Sequence, residues 1–192
     1  MASEVFVSAM LLITAVVASA ILIAAVFPVV WTMVSTFSTA SHDTDTRMRT
    51  DFKIITWFTH GNPTPPEVAG LSTIWMKNIG SNRIGIGEID KSDVYIGPVG
   101  NFGRAVFVSG VRTTPTDTDP SKPTLLDKQW YYNLYDDNDN SFWDVGETLE
   151  INAARQDLIS SGPPPYSSKS VYFQFVLPNG VLRSTEFPTS VI

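Results

Sequence analysis

The densest chemistry in the chain lies in twelve consecutive residues, Asp136-Asp137-Asn138-Asp139-Asn140-Ser141-Phe142-Trp143-Asp144-Val145-Gly146-Glu147. Numbered from Asp136, side-chain oxygens fall at positions one, three, five, nine and twelve: Asp136, Asn138, Asn140, Asp144 and Glu147. Phe142, at position seven, would add its backbone carbonyl. That is the ligand spacing of a calcium loop, because calcium takes six to eight hard oxygens at irregular angles and alternate residues of a tight loop converge on one point. Position six, where glycine ordinarily makes the turn, is Ser141, which meets a steric cost in a left-handed conformation. The competing reading is an acidic hairpin loop whose Asp and Asn residues only make side-chain turns. Acidity is regional: 117–157 holds ten acids against Lys122, Lys128 and Arg155.

Other chemistry is thin. With no cysteine there is no disulfide, thiol nucleophile or cysteine-bound metal. His42 and His60 read as surface residues, and two histidines cannot build a three-histidine site. Gly85, Gly87, Gly97, Gly100 and Gly103 form no phosphate-binding fingerprint, and no serine sits in a nucleophile elbow. No enzyme, small-molecule substrate or required cofactor is expected; calcium is the one candidate ion. The net charge of −6 without a basic cluster argues against nucleic acid. The string Asn62-Pro63-Thr64 carries proline in its middle and is no glycosylation acceptor.

The elements that must hold the acidic loop are short runs rich in β-branched and aromatic residues. They are DFKIITWF, LSTIWMKNI, NRIGIGEI, SDVYIG, RAVFVSG, KQWYYNLY, ETLEINA, KSVYFQFVL and VLRSTEF, each bounded by Gly, Pro, Asn or Asp. Over 51–192 they predict an antiparallel β-sandwich. Pro178-Asn179-Gly180 marks a hairpin, with Asn-Gly the preferred pair for a primed turn. Trp57, Trp75, Trp130 and Trp143 are expected in the core. Long loops are expected at Gly61–Gly70 and Val111–Asp127.

Ahead of the sandwich, Val5 to Val34 is 30 residues whose polar side chains are only the hydroxyls of Ser8, Thr14, Ser19 and Thr32. As a helix it would reach about 45 Å, against a hydrocarbon core of about 30 Å. Residues 1–34 are therefore expected to anchor the chain in a membrane, with the span proper at Val5 to Phe27, a kink at Pro28 and Trp31 at an interface. A cleaved signal lacks a basic start here. A pilin-like helix packed in a filament bundle fits the composition equally. Residues 35–50 read as a polar helical stalk, with Val30, Val34, Phe37, Ser41, Thr44 and Met48 at helical spacing. Arg47 and Arg49 weakly favour the large domain inside by the basic-residue rule.

Four stretches resemble the archaeal flagellar (archaellum) accessory protein G family, FlaG or ArlG, in the manner of methanogen members. They are MASEVFVSAMLLITAVVASAIL at the start, Arg47 to Ile55, Ile74 to Gly80, and Tyr172 to Val181. The resemblance implies one N-terminal membrane helix and an immunoglobulin-like sandwich in the space under the surface layer. It also implies a non-enzymatic stator role in swimming motility. As partners it implies self-association and the archaellum F protein, and through that protein the surface layer. The domain outside, which it also implies, is opposite to the basic-residue count. Two alternatives stand beside it: an archaellin-like or pilin-like filament subunit, and a membrane-tethered calcium-dependent binding module. Archaellin-type precursors would carry basic residues and a processing site before the apolar run, and Met1-Ala2-Ser3-Glu4 has none.

Overall fold

A computed structural model describes residues 2–61, 70–113, 125–158 and 170–189. The chain forms two compact units, Met1–Asp45 and Thr46–Ile192. The first is most of helix α1 (Ala2–Arg49), which runs unbroken through the expected span and stalk. Its hydroxyls turn back onto the helix. Thr14, Ser19, Thr32, Ser35, Thr36, Thr39 and Thr44 each donate to a carbonyl three or four residues earlier at 2.7–3.1 Å. The donors of these seven hydroxyls thus need no partner outside their own helix.

The last turn of α1 belongs to the second unit. Buried Thr50 donates its hydroxyl to the Thr46 carbonyl at 2.8 Å and accepts from the amides of Asn82 (3.3 Å) and Asn179 (3.1 Å). The Arg49 carbonyl accepts the N–H groups of Ser81 and Asn82 at 2.9 and 3.1 Å, so a helix-end acceptor is paired by a loop. Gly80 makes this approach possible, since a Cβ there would lie 2.4 Å from the Arg49 carbonyl oxygen.

The second unit is a β-sandwich. Its strands are β1 (Phe52–Gly61), β2 (Gly70–Asn78), β3 (Ile84–Gly85), β4 (Asp93–Pro98), β5 (Gly103–Thr113), β6 (Gln129–Tyr135), β7 (Phe142–Trp143), β8 (Thr148–Ala154), β9 (Ser170–Val176) and β10 (Leu182–Pro188). The expected strand at NRIGIGEI is overturned. It pairs for two residues and then becomes a helical turn, α2 (Ile86–Ile89), because the Glu88 carboxylate accepts the Gly85 N–H at 3.2 Å. The main hydrogen-bonded order is β1-β2-β8-β6-β5-β4-β9-β10, with β3 and β7 as a small separate pair.

The departure from a purely antiparallel sandwich is β5. Its first residues pair antiparallel with β4 (Ile96↔Gly103, Val94↔Ala105); from Val106 it runs parallel to β6 as far as Thr113↔Tyr135. One strand thereby serves both layers. Where it passes β6, Gly110 makes room for a ring, because a Cβ there would meet the Tyr132 Cζ at 2.2 Å. The layers face each other through Ile74, Met76, Trp130 and Ile151 on one side and Val94, Ile96, Phe173 and Phe175 on the other. Phe175 contacts Phe52 (5.5 Å between centroids) and Trp130 (6.3 Å). Only Trp130 and Trp143 of the four expected tryptophans are buried. Trp57 is 40 % exposed and stacks on Phe187, closing the seam between β1 and β10, and Trp75 is half-buried on the outer face of its sheet.

The final hairpin forms where expected with a different turn. The Gly180 N–H bonds to the Leu177 carbonyl at 2.8 Å, and Gly180 alone in the turn takes positive φ (83°). Pro178 and Asn179 therefore occupy the turn's centre, followed by a glycine bulge, not a primed Asn-Gly pair. The middles of the two long expected loops lie outside the described residues, and β5 extends through Thr113 into the second of them.

One buried cation ties the layers together. Arg155, 6 % exposed, donates to the carbonyls of Ile96 and Asn101 (2.9 Å each) and to both oxygens of Asp157 (2.8 and 3.1 Å). Arg155→Met should cost about 3–5 kcal/mol, since these acceptors lose a buried charged partner. Arg104→Met, at an exposed pair with Asp93, should cost under about 1 kcal/mol. Urea unfolding of the two variants checks the contrast.

The outer face of the central strands is polar and also buried. The Glu150 carboxylate accepts the Tyr135 hydroxyl and the Asn152 amide, both at 2.7 Å, and Thr73 donates to Asn152 at 2.8 Å. Burial pushes the hydroxyls of Tyr131 and Tyr135 up to about 12, and the Glu150 carboxylate adds to both. A raised folded-state value means this stabilisation is full below the unfolded value of about 10 and is lost as pH rises towards the folded value. Phenolate absorbance should show a late-titrating phase to which Tyr131 and Tyr135 contribute. A late phase that Tyr131→Phe and Tyr135→Phe leave unchanged would contradict it.

Candidate functional site

The acidic loop joins β6 to β8, and β7 within it anchors it. Trp143 is fully buried against Phe52, with ring centroids 5.7 Å apart. Its indole N–H donates to the Glu147 carbonyl at 2.9 Å. Asn78 holds the same turn from β2: its amide donates to the Trp143 carbonyl at 2.8 Å, and its own carbonyl accepts the Gly146 N–H at 2.8 Å. Arg83 lies 5.2 Å from the Phe142 ring centroid and 3.8 Å from Asp144.

The five side chains singled out by spacing all lie in this loop, and each engages neighbours within it. Asp136, fully buried, accepts the backbone N–H groups of Asn140 (3.2 Å) and Ser141 (2.9 Å). Glu147, 7 % exposed, accepts those of Asp137 (3.1 Å) and Asp144 (2.8 Å), one on each oxygen. Asp144 accepts the amides of Asn138 (3.0 Å) and Asn140 (2.6 Å). The Asn140 oxygen accepts the Phe142 N–H at 2.9 Å. Ser141 adopts the left-handed conformation that position six demands, at φ 66°.

Electrostatics separate two of the acids. Burial pushes the Glu147 carboxyl above its ordinary value; the N–H groups of Asp144 and Asp137 oppose this, and the charges of Asp136 and Asp144 add to it. The Asn138 and Asn140 amides hold the Asp144 carboxyl below its ordinary value.

These oxygens are engaged within the loop, and each carboxylate keeps further lone pairs. Those of Asp136 and Glu147 face N–H donors, and among the described residues no three acidic or histidine side chains gather to hold a metal. The calcium proposal is thus carried by spacing alone. Sequence reasoning missed Thr50, Asn78 and Arg155, because the partners that give them their roles, Asn179, Trp143 and Ile96, lie far along the chain.

The geometry sets the expected result. The melting temperature of the full chain should be equal in millimolar calcium and in chelator. A gain approaching roughly 2.7 kcal/mol at calcium 100 times its dissociation constant would restore the calcium loop. Glu147→Gln should cost about 1–3 kcal/mol without any ion, by turning an amide NH2 toward a buried N–H. Asp137→Asn, with an exposed side chain, should stay within about 0.5 kcal/mol.

No family model matches the chain. An uncharacterised protein of Archaeoglobus fulgidus is 24 % identical over 187 residues, covering 97 % of this chain and 99 % of the relative. Among solved structures, archaeal flagellin FlaB1 from Methanocaldococcus jannaschii matches at a TM-score of 0.53 and 16 % identity, over 73 % of this chain and 90 % of that one. The archaellum periplasmic stator protein FlaG from Sulfolobus acidocaldarius matches at 0.41 and 19 % identity, over 72 % and 99 %. The complex of FlaF and FlaG from the same organism matches at 0.38 and 18 %, over 70 % and 91 %. The likeness to the flagellin establishes a shared fold.

Proposed function

We propose that this chain is a non-enzymatic structural component of the archaellum, a membrane-anchored stator element. The observation that carries the reading is a helix with an uncharged, mainly apolar run of 30 residues, followed by a β-sandwich of flagellin-like fold. The run is long enough to cross a bilayer, and its large apolar side chains from Val5 to Phe37 are exposed. The G-family resemblance adds the stator role, the sandwich outside the membrane, self-association and pairing with an F-type protein that reaches the surface layer.

The filament-subunit reading is the second one, and the flagellin fold favours it. Fractionation separates the two: a stator element stays with the cell membrane, whereas a subunit is recovered as a main component of sheared filaments. Recovery in the filaments would overturn the stator reading.

The anchor has its own test. Arginine at a helix centre costs about 2.5–3.5 kcal/mol on insertion scales. Ile13→Arg should therefore move full-length chain out of the carbonate-resistant membrane fraction. Wild-type chain recovered as soluble protein would reject the anchor.

A further inference from the structure

Asn179-Gly180 is the one Asn-Gly pair in the sequence. Asparagine is thermolabile, and glycine is the successor that shields its own backbone nitrogen least, having no Cβ. That nitrogen can attack the asparagine side-chain carbon: a C–N bond forms, ammonia leaves and a five-membered imide closes. Water then opens the imide at either carbonyl, giving aspartate or isoaspartate. The attack requires a nitrogen that has given up its proton, a side chain free to swing onto it, and a side-chain oxygen that can take up negative charge.

The turn restrains the first two of these and supplies the third. The Gly180 N–H is committed to the Leu177 carbonyl at 2.8 Å. The Asn179 amide nitrogen donates to the Thr50 hydroxyl oxygen at 3.1 Å, which fixes the side chain against the end of α1. The Asn179 oxygen, by contrast, already accepts the Val181 N–H at 3.0 Å. A donor on that oxygen favours attack at the side-chain carbon, because the negative charge develops there. Arg47 adds a cation beside Gly180, where a Cβ would lie 2.6 Å from the guanidinium.

We propose that Asn179 is a site of spontaneous deamidation that Thr50 holds in check. Conversion proceeds when the contact between the last turn of α1 and the β9–β10 hairpin opens. The latch comes from 129 positions away, so the tertiary structure sets a rate that the dipeptide alone would set much higher. Neither product keeps the NH2 that donates to Thr50, and isoaspartate also adds a carbon to the backbone of the turn. Conversion therefore removes the contact that had restrained it.

The test keeps full-length chain in detergent and mildly alkaline buffer and digests samples with trypsin at intervals. The tryptic peptide 170–183 carries no other asparagine, so its conversion is read directly by mass and by methyl transfer to isoaspartate. Wild-type chain should convert far more slowly than chain unfolded in urea. Thr50→Val removes the acceptor and should convert about 5–30-fold faster than wild type, the factor that one or two lost hydrogen bonds give. Thr50→Ser, which keeps the hydroxyl, should stay near the wild-type rate. Urea below the unfolding transition should already raise the wild-type rate, because the contact opens locally; this arm stands even where Thr50→Val fails to fold. Equal rates in folded and unfolded wild-type chain, or in wild type and folded Thr50→Val, would overturn the latch. So would a wild-type rate that rises only with global unfolding.

Discussion

Arg155 is a cation held almost out of water, and such a group persists only where its donors meet acceptors. Standing at the end of β8, it reaches acceptors on β4, on the turn that links β4 to β5, and on Asp157. The neighbouring backbone is shaped around it. A Cβ at Gly97 or Gly103 would approach the guanidinium at 3.1 Å, and Gly97 sits at φ 156° beside the Asn101 carbonyl. The Arg155 N–H also bonds to the Gly70 carbonyl, fixing where β2 begins. Holding this turn lets β5 start beside β4 and then leave it for β6. The crossing strand in turn lets two sheets share one core.

The acidic loop shows a different solution to burying charge. Asp136 and Glu147 have backbone N–H groups as their nearest donors, so a short irregular segment supplies the donors its own carboxylates need. The result is a closed turn plugged into the core by Trp143. The same inward-pointing alternation that would gather oxygens around an ion gathers N–H groups around the oxygens here. Spacing and satisfaction are separate properties, and only the first is written in the order of residues.

The helix and the sandwich follow opposite rules of exposure. In the sandwich, large apolar side chains such as Phe173, Phe175 and Leu149 are buried, as water demands. Along α1 they are exposed instead, over a run long and apolar enough to cross a membrane. The hydroxyls turned onto their own backbone suit such a helix, because none of their donors needs an outside partner.

Much of this was legible from residues alone. The apolar run, the polar stretch after it and the β-rich remainder follow from local composition and period, which act within a few residues. Nine runs were readable as strands, yet NRIGIGEI gives way after two residues to a helical turn closed by Glu88. Position 141 was correctly marked as needing positive φ, and the hairpin at 178–180 was placed correctly with the wrong turn. What no sequence pattern could supply was pairing at a distance. The parallel run of β5 beside β6, Arg155 reaching back to Ile96, Thr50 meeting Asn179, and Asn78 holding the Trp143 turn each join residues tens of positions apart. Which oxygen meets which donor is decided by the folded backbone that brings both to one place, so the tertiary structure alone determined that the acidic loop closes upon itself.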